Sequence, residues 1–146
     1  MISYFDSSVI LSELLVEREE PDVVRLWEES SERLSSNLLK IECVIGIRRA
    51  ALAQGLSPDN GWAKERIDLM LRSTETISFK IMDASIEDII RLTPTLSDCR
   101  ALDAIHLATA QYFKNNLDEQ IRIVTFDRRM AALARKLGFS VFSAGE

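Results

Sequence analysis

Short apolar runs alternate with longer stretches of helical periodicity along this chain, and that alternation limits its fold more than any single residue does. Ile2 to Phe5 is an apolar and aromatic run ended by Asp6, Ser7 and Ser8, and a helical pattern follows through Val9, Ile10, Leu14 and Leu15. Pro21 and Asp22 open a second helix with Val24, Leu26 and Trp27, and Glu28 to Glu32 form its solvated end. Arg33 to Ser36 reads as a short strand. From Asn37 a longer helix carries Leu38, Ile41, Ile45 and Leu52, with Gly55 as its stop. Ser57 to Asn60 is a turn with helix-capping side chains, before an amphipathic helix with Trp62, Ile67, Leu69, Met70 and Leu71. Ile77 to Met82 reads as a strand, and Ala84 to Leu92 as a helix that Thr93 and Pro94 terminate. Ile121 to Thr125 is a buried-strand pattern leading to Phe126 and Asp127. Met130, Leu133, Ala134 and Leu137 mark the helix after it, Gly138 stops that helix, and Val141 to Phe142 is a last strand. Apolar strands joined by helices predict an α/β fold with a central parallel sheet covered on both faces. No linker, repeat or low-complexity tract interrupts the pattern, so residues 1–146 read as a single domain.

Size and composition agree with such a fold. A chain of 146 residues buries on the order of 70% of its unfolded surface, and 47% of its residues are apolar against 28% charged, a globular balance. No run reaches the ~18 apolar residues of a membrane span, and MISYFDSS, with no basic leader and an acid at position 6, does not read as a signal peptide. Cys43 and Cys99 lack metal-site or CxxC spacing and read as buried thiols of a reducing cytoplasm. The net charge of −5 excludes a protein that grips nucleic acid through a global basic field. It leaves room for phosphate binding through cations held on carboxylates.

One acid stands out. Asp103 lies within Arg100 to Ala110, RALDAIHLATA, where Leu102, Ile105, His106 and Thr109 recur at helical spacing and alanines allow close approach. Aspartate is a poor residue inside a helix, and its charge is costly to bury without partners. Ser97 and Asp98 are better placed to cap the helix, which puts Asp103 about a turn inside it and favours a functional acid.

Ligands of open parallel sheets bind beyond the carboxyl ends of the strands, and Asp6 and Asp127 each follow a strand there. Glu42 lies in the first turns of the helix after the second strand, and Asp103 lies within a turn of the start of the helix that feeds the strand before Asp127. Each acid has a simpler role available: Asp6 and Asp127 as helix caps worth ~1 kcal/mol, and Glu42 as a solvated glutamate, although its i+4 neighbour is Gly46 and offers no ion pair. All four at one edge are a different matter, because like charges raise each other's pKa unless cations offset them. Oxygen ligands alone favour Mg2+ or Mn2+ over zinc, for which one histidine and two scattered cysteines are a poor set. The chemistry such a centre supports is metal-assisted phosphoryl transfer.

The segments YFDSS with Asp6, the helical Glu42, RALDAIHLATA with Asp103 and VTFDRRMAALARKLG with Asp127 resemble the PIN-domain ribonucleases, specifically the VapC-type toxins of toxin–antitoxin pairs. The resemblance runs over nearly the whole chain, and LDAIHLA and VTFD are its most specific parts. It implies a three-layer PIN-like fold with a parallel sheet of about five strands, Mg2+- or Mn2+-dependent endoribonuclease activity, a homodimer, and inhibition by a cognate antitoxin. Asp6 and Asp103 would be the principal metal ligands, Glu42 a third acid holding metal or positioning water, and Asp127 a fourth ligand. Thr125 and Ser7 would hydrogen-bond around them. His106 shares the helix face of Asp103, and the resemblance gives it a packing and hydrogen-bonding role. The pairs Arg48/Arg49 and Arg128/Arg129 are solvated helix faces or phosphate contacts, and Trp27 and Trp62 are core or interface anchors. Two other readings compete. A PIN fold kept as a non-catalytic RNA- or protein-binding module is disfavoured by the intact set of four acids, and a phosphotransfer domain by the lack of a second acid in the DSSV that begins at Asp6.

Overall fold

Tyr4 sits opposite Leu34 on one neighbouring strand and Ile123 on the other, and all three are closed off from solvent. The computed structural model describes residues 1–16 and 20–143, and its five strands are β1 (Ile2–Phe5), β2 (Glu32–Ser36), β3 (Ile77–Lys80), β4 (Ile121–Thr125) and β5 (Ser140–Ser143). They pair in parallel throughout, in the order β3-β2-β1-β4-β5. Parallel neighbours need crossovers, which the helices supply: α1 (Ser7–Val16), α2 (Pro21–Glu29), α3 (Leu38–Ala53), α4 (Gly61–Ser73), α5 (Ala84–Leu92), α6 (Ala101–Leu117) and α7 (Arg128–Lys136).

Strand alternation sends β1 side chains to two different cores. Ile2 and Tyr4 join Leu34, Ile121 and Ile123 beneath Ile86 of α5, Leu107 of α6 and Met130 of α7. Phe5 and Val124 face the other way, against Val9 and Leu26 of α1 and α2. Beside them Leu14, Leu39, Ile47 and Met70 join α1, α3 and α4. The expected three-layer architecture is therefore present, with both faces of the sheet covered.

The apolar phase of α3 differs from the expected one. Leu39, Cys43, Ile47 and Ala51 are buried, whereas Ile41, Ile45 and Leu52 are 55%, 44% and 57% exposed. This helix is apolar around most of its circumference, so periodicity alone does not choose the inner face. The neighbours choose it: α1 packs so near that a Cβ on Gly46 would lie 2.9 Å from the Leu11 methyl groups. In α4 likewise Ala63 and Met70 are buried while Leu69 and Leu71 are exposed. Strand β3 stops at Lys80, before the expected Met82, and Asp83 then caps α5 by accepting from the Ser85 backbone N–H.

The start of α6 also departs from expectation. Ser97 and Asp98 belong to a 3-10 turn, Pro94–Asp98, and Arg100 holds the cap position without a side-chain hydrogen bond. Asp103 consequently lies in the first turn of α6. The packed part of the helix begins one residue later, at Ala104, and Leu102 is 48% exposed. Leu107→Ala empties a fully buried position under the sheet and is expected to cost about 2–5 kcal/mol; urea unfolding of the variant against the parent measures it.

Candidate active site

Strand order reverses between β1 and β4, and there the crossovers leave toward opposite faces, opening a crevice at the carboxyl ends. Asp6 and Asp127 both emerge at that point. The Asp6 backbone N–H continues the sheet ladder to the Val124 carbonyl at 3.1 Å. Its carboxylate is buried, and one oxygen accepts from Ser8 Oγ at 2.6 Å and Thr125 Oγ1 at 2.9 Å. Those hydroxyls are themselves held: the Phe126 N–H donates to Ser8 Oγ and the Asp127 N–H to Thr125 Oγ1, each at 3.0 Å. Two neutral hydroxyls thus tie the loop after β1 to the loop after β4 and satisfy a carboxylate that burial would otherwise penalise.

Asp127 caps α7, its Oδ1 accepting from the backbone N–H groups of Arg129 at 2.9 Å and Met130 at 3.1 Å. Among the described residues, no hydrogen bond reaches its Oδ2. The capping role weighed for this residue is real; for Asp6 the carboxylate partners are instead the side chains of Ser8 and Thr125.

Helices α3 and α6 bring the other two acids. Glu42 Oε1 is hydrogen-bonded to His106 Nε2, across sixty-four residues of sequence. The imidazole is 1% exposed, its Nε2 lies 3.9 Å from Asp6 Oδ1, and its Nδ1 lies 2.6 Å from the Tyr4 hydroxyl. Burial works against a charged ring, but the Glu42 hydrogen bond and the charges of Asp6, Glu42 and Asp103 outweigh it and raise the His106 pKa. Asp103 stands half-buried one turn earlier on α6. Burial first, then the charges of Asp127, Asp6 and Glu42, raise its carboxyl above the ordinary aspartate range, with His106 opposing. All four acids therefore act on one rim.

The remaining residues expected at the site sort by location. Ser8, rather than Ser7, shares the Asp6 carboxylate with Thr125. Ser7 is buried at the head of α1. Ser8 and Tyr4 are the residues that the sequence reading missed. Tyr4 carried a signal in the strand alternation, which puts it on the His106 face, whereas nothing in DSS separates one serine from the other. Arg128 and Arg129 open α7 beside Asp127, and the Cys99 thiol is pushed up by burial and Asp103 while Arg129 pulls it down. Arg48 lies in the field of Asp59 at the other end of α3. Trp27 packs on Phe5 with ring centres 4.8 Å apart, and Trp62 lies under the Arg66 guanidinium at 4.1 Å.

Among the described residues, no three His, Cys, Asp or Glu side chains are arranged to hold a metal ion, so gathering the acids around one requires side-chain rotation. The donor chemistry fits a hard divalent cation: carboxylates dominate, their mutual repulsion already disfavours charge on Asp103, and both imidazole nitrogens are engaged within the protein.

A three-layer α/β domain with acids at the β1–β4 switch is the PIN arrangement, and residues 3–136 match the PIN domain family. The chain belongs to that family. Over 141 residues it is 33% identical to Ribonuclease VapC46 of Mycobacterium tuberculosis (strain ATCC 25618 / H37Rv), an alignment covering 96% of this chain and 95% of the relative.

The raised Asp103 pKa has a consequence for stability. A carboxyl that holds its proton more tightly folded than unfolded costs stability once pH exceeds the folded pKa, and that cost fades as pH falls toward the ordinary aspartate range. In EDTA at neutral pH, Asp103→Asn is expected to melt above the parent, with the gap closing on acidification; thermal unfolding across a pH series measures it.

Proposed function

We propose that this chain is an endoribonuclease dependent on Mg2+ or Mn2+ and acts as the toxin of a toxin–antitoxin pair. The observation that carries the reading is the rim itself, where burial and then the charges of Asp127, Asp6 and Glu42 raise the Asp103 carboxyl in a chain of the PIN family. The similarity to a ribonuclease over nearly the full length supports RNA as the substrate.

Asp6 and Asp103 are the principal ligands, from the end of β1 and the first turn of α6. Asp127 contributes the oxygen left free by its cap. Glu42, steadied by His106, helps to hold metal or positions the attacking water. A divalent ion held there offsets charge on the attacked phosphate and its leaving oxygen. Ser8 and Thr125 fix the Asp6 carboxylate so that it presents one oxygen to the crevice. Arg128 and Arg129, exposed beside Asp127, bind flanking phosphates and lend positive charge to an acidic protein.

The partners follow the same reading: the RNA substrate, a cognate antitoxin protein, and a second copy of the chain in a homodimer, working in the cytoplasm as one nuclease domain. Protein partners are supported by the outer side of α3 and α4, where Ile41, Ile45 and Leu71 stand in solvent beside Val44 and Ile67, an apolar surface of the kind that associations cover. No helix among the described residues is long and apolar enough to cross a membrane.

The purified protein is expected to cut a structured RNA with Mg2+ or Mn2+, and to stop on addition of EDTA. Asp6→Asn and Asp103→Asn are each expected to lower the rate by about a hundredfold or more, the scale seen when a group stabilising transition-state charge is removed. Cleavage unchanged in both variants would overturn the assignment. Joint Arg128→Ala and Arg129→Ala is expected to weaken RNA binding evenly across sequences and to flatten its salt dependence, read by titration of RNA into a metal-free protein at several salt concentrations.

A further inference from the structure

We propose that Tyr4 is a positioning residue of this site: its hydroxyl donates to Nδ1 of His106, keeps the neutral ring in its Nε2–H tautomer, and so aims an N–H donor at Glu42. The kinetic part rests on the nuclease reading above; the tautomer part concerns the neutral ring and rests on its two hydrogen bonds.

Tyr4 is completely buried in the core shared by β1 and α6, and its oxygen lies 2.6 Å from Nδ1. On the other side of the ring Nε2 meets Glu42 and has Asp6 Oδ1 at 3.9 Å. Ionised carboxylates only accept hydrogen bonds, so Nε2 must carry hydrogen to satisfy this side. When the ring carries a single N–H, this leaves Nδ1 as an acceptor facing the phenol; a ring protonated on both nitrogens donates from Nδ1 to the phenol oxygen instead. The edge-on packing of the two rings, with planes at 81° and centres 5.9 Å apart, holds the imidazole at that hydroxyl.

The chain runs from the floor of the sheet to its catalytic rim. Tyr4 is two residues before Asp6 on β1, His106 is three after Asp103 on α6, and Glu42 is on α3. One buried line of hydrogen bonds thereby links the three elements that bear three of the four acids, and the ring cannot turn without breaking contact at both nitrogens. Partners that orient a ligand-bearing side chain are typically worth about 10- to 100-fold in activity.

This is the only histidine in the chain, so long-range proton–nitrogen correlation spectra report its tautomer without assignment work, in the absence of RNA and metal. In the neutral ring the proton is expected on Nε2 in the wild type. It is expected to stay there in Glu42→Ala, where Tyr4 and the more distant Asp6 carboxylate remain, and the Nδ1–H form is expected to gain population when Tyr4→Phe is added. Tyr4→Phe alone keeps the buried ring and is expected to lower kcat about 10- to 100-fold with KM little changed. A proton on Nδ1 in Glu42→Ala would mean that the phenol accepts, and overturns the proposal. So does a Tyr4→Phe protein that cleaves at the wild-type rate. A wild type that cuts no RNA defeats the nuclease reading instead, and the spectra still decide the role of Tyr4.

Discussion

Parallel pairing of β1 with β4 places two chain reversals side by side, and everything at the site depends on holding those reversals together under electrostatic strain. Acids gathered on one rim push apart, and their charges add to burial in raising the Asp103 carboxyl. The fold answers with hydrogen-bond donors and with the His106 ring, which opposes the rise at Asp103. Ser8 and Thr125 clasp Asp6, backbone N–H groups at the start of α7 take Asp127, and His106 takes Glu42. Each acid but Asp103 is thus anchored through one oxygen by a donor belonging to a neighbouring element or helix end. That leaves the acids anchored but not gathered around one point, so that bringing them together on a single cation requires side-chain rotation.

The same logic explains where polar residues enter the interior. Ser3, Ser35, His106, Thr109 and Thr125 are buried, and the hydroxyl of Ser35 and that of Thr109 close on backbone carbonyls within 2.7 Å. Buried polar groups are tolerated when satisfied, and at the amino ends of the strands Ser30 Oγ donates to Ser3 Oγ at 2.8 Å beside the aliphatic packing of Ile2 and Ile121.

Much of this was legible in the sequence because it follows from chemistry carried by single residues. Strand runs bounded by Asp6 and Asp127, the Pro21 and Asn60 helix starts and the Gly55 and Gly138 stops all sit where local rules put them. What was not legible depends on neighbours. The inner face of α3 is set by how closely α1 approaches Gly46, not by the hydropathy of Ile41 or Ile45. Choosing Ser8 over Ser7 requires knowing that Thr125 lies alongside. The Asp98 region curls into a 3-10 turn after Pro94, which shortened α6 and moved Asp103 from its interior to its first turn. Even so, its neighbours in space justify the attention its sequence position drew.

Asp127 illustrates a separable pair of duties. The cap on α7 uses an oxygen and does not require a charge, and asparagine retains that oxygen while discarding the charge. Neutralising aspartate at this position therefore keeps the cap oxygen, so this chain lies a single substitution from a descendant with a capped α7 and one charge fewer on the rim. Loss of charge from the rim has an open route here, whereas at Glu42 or Asp6 the same exchange disturbs a buried partner.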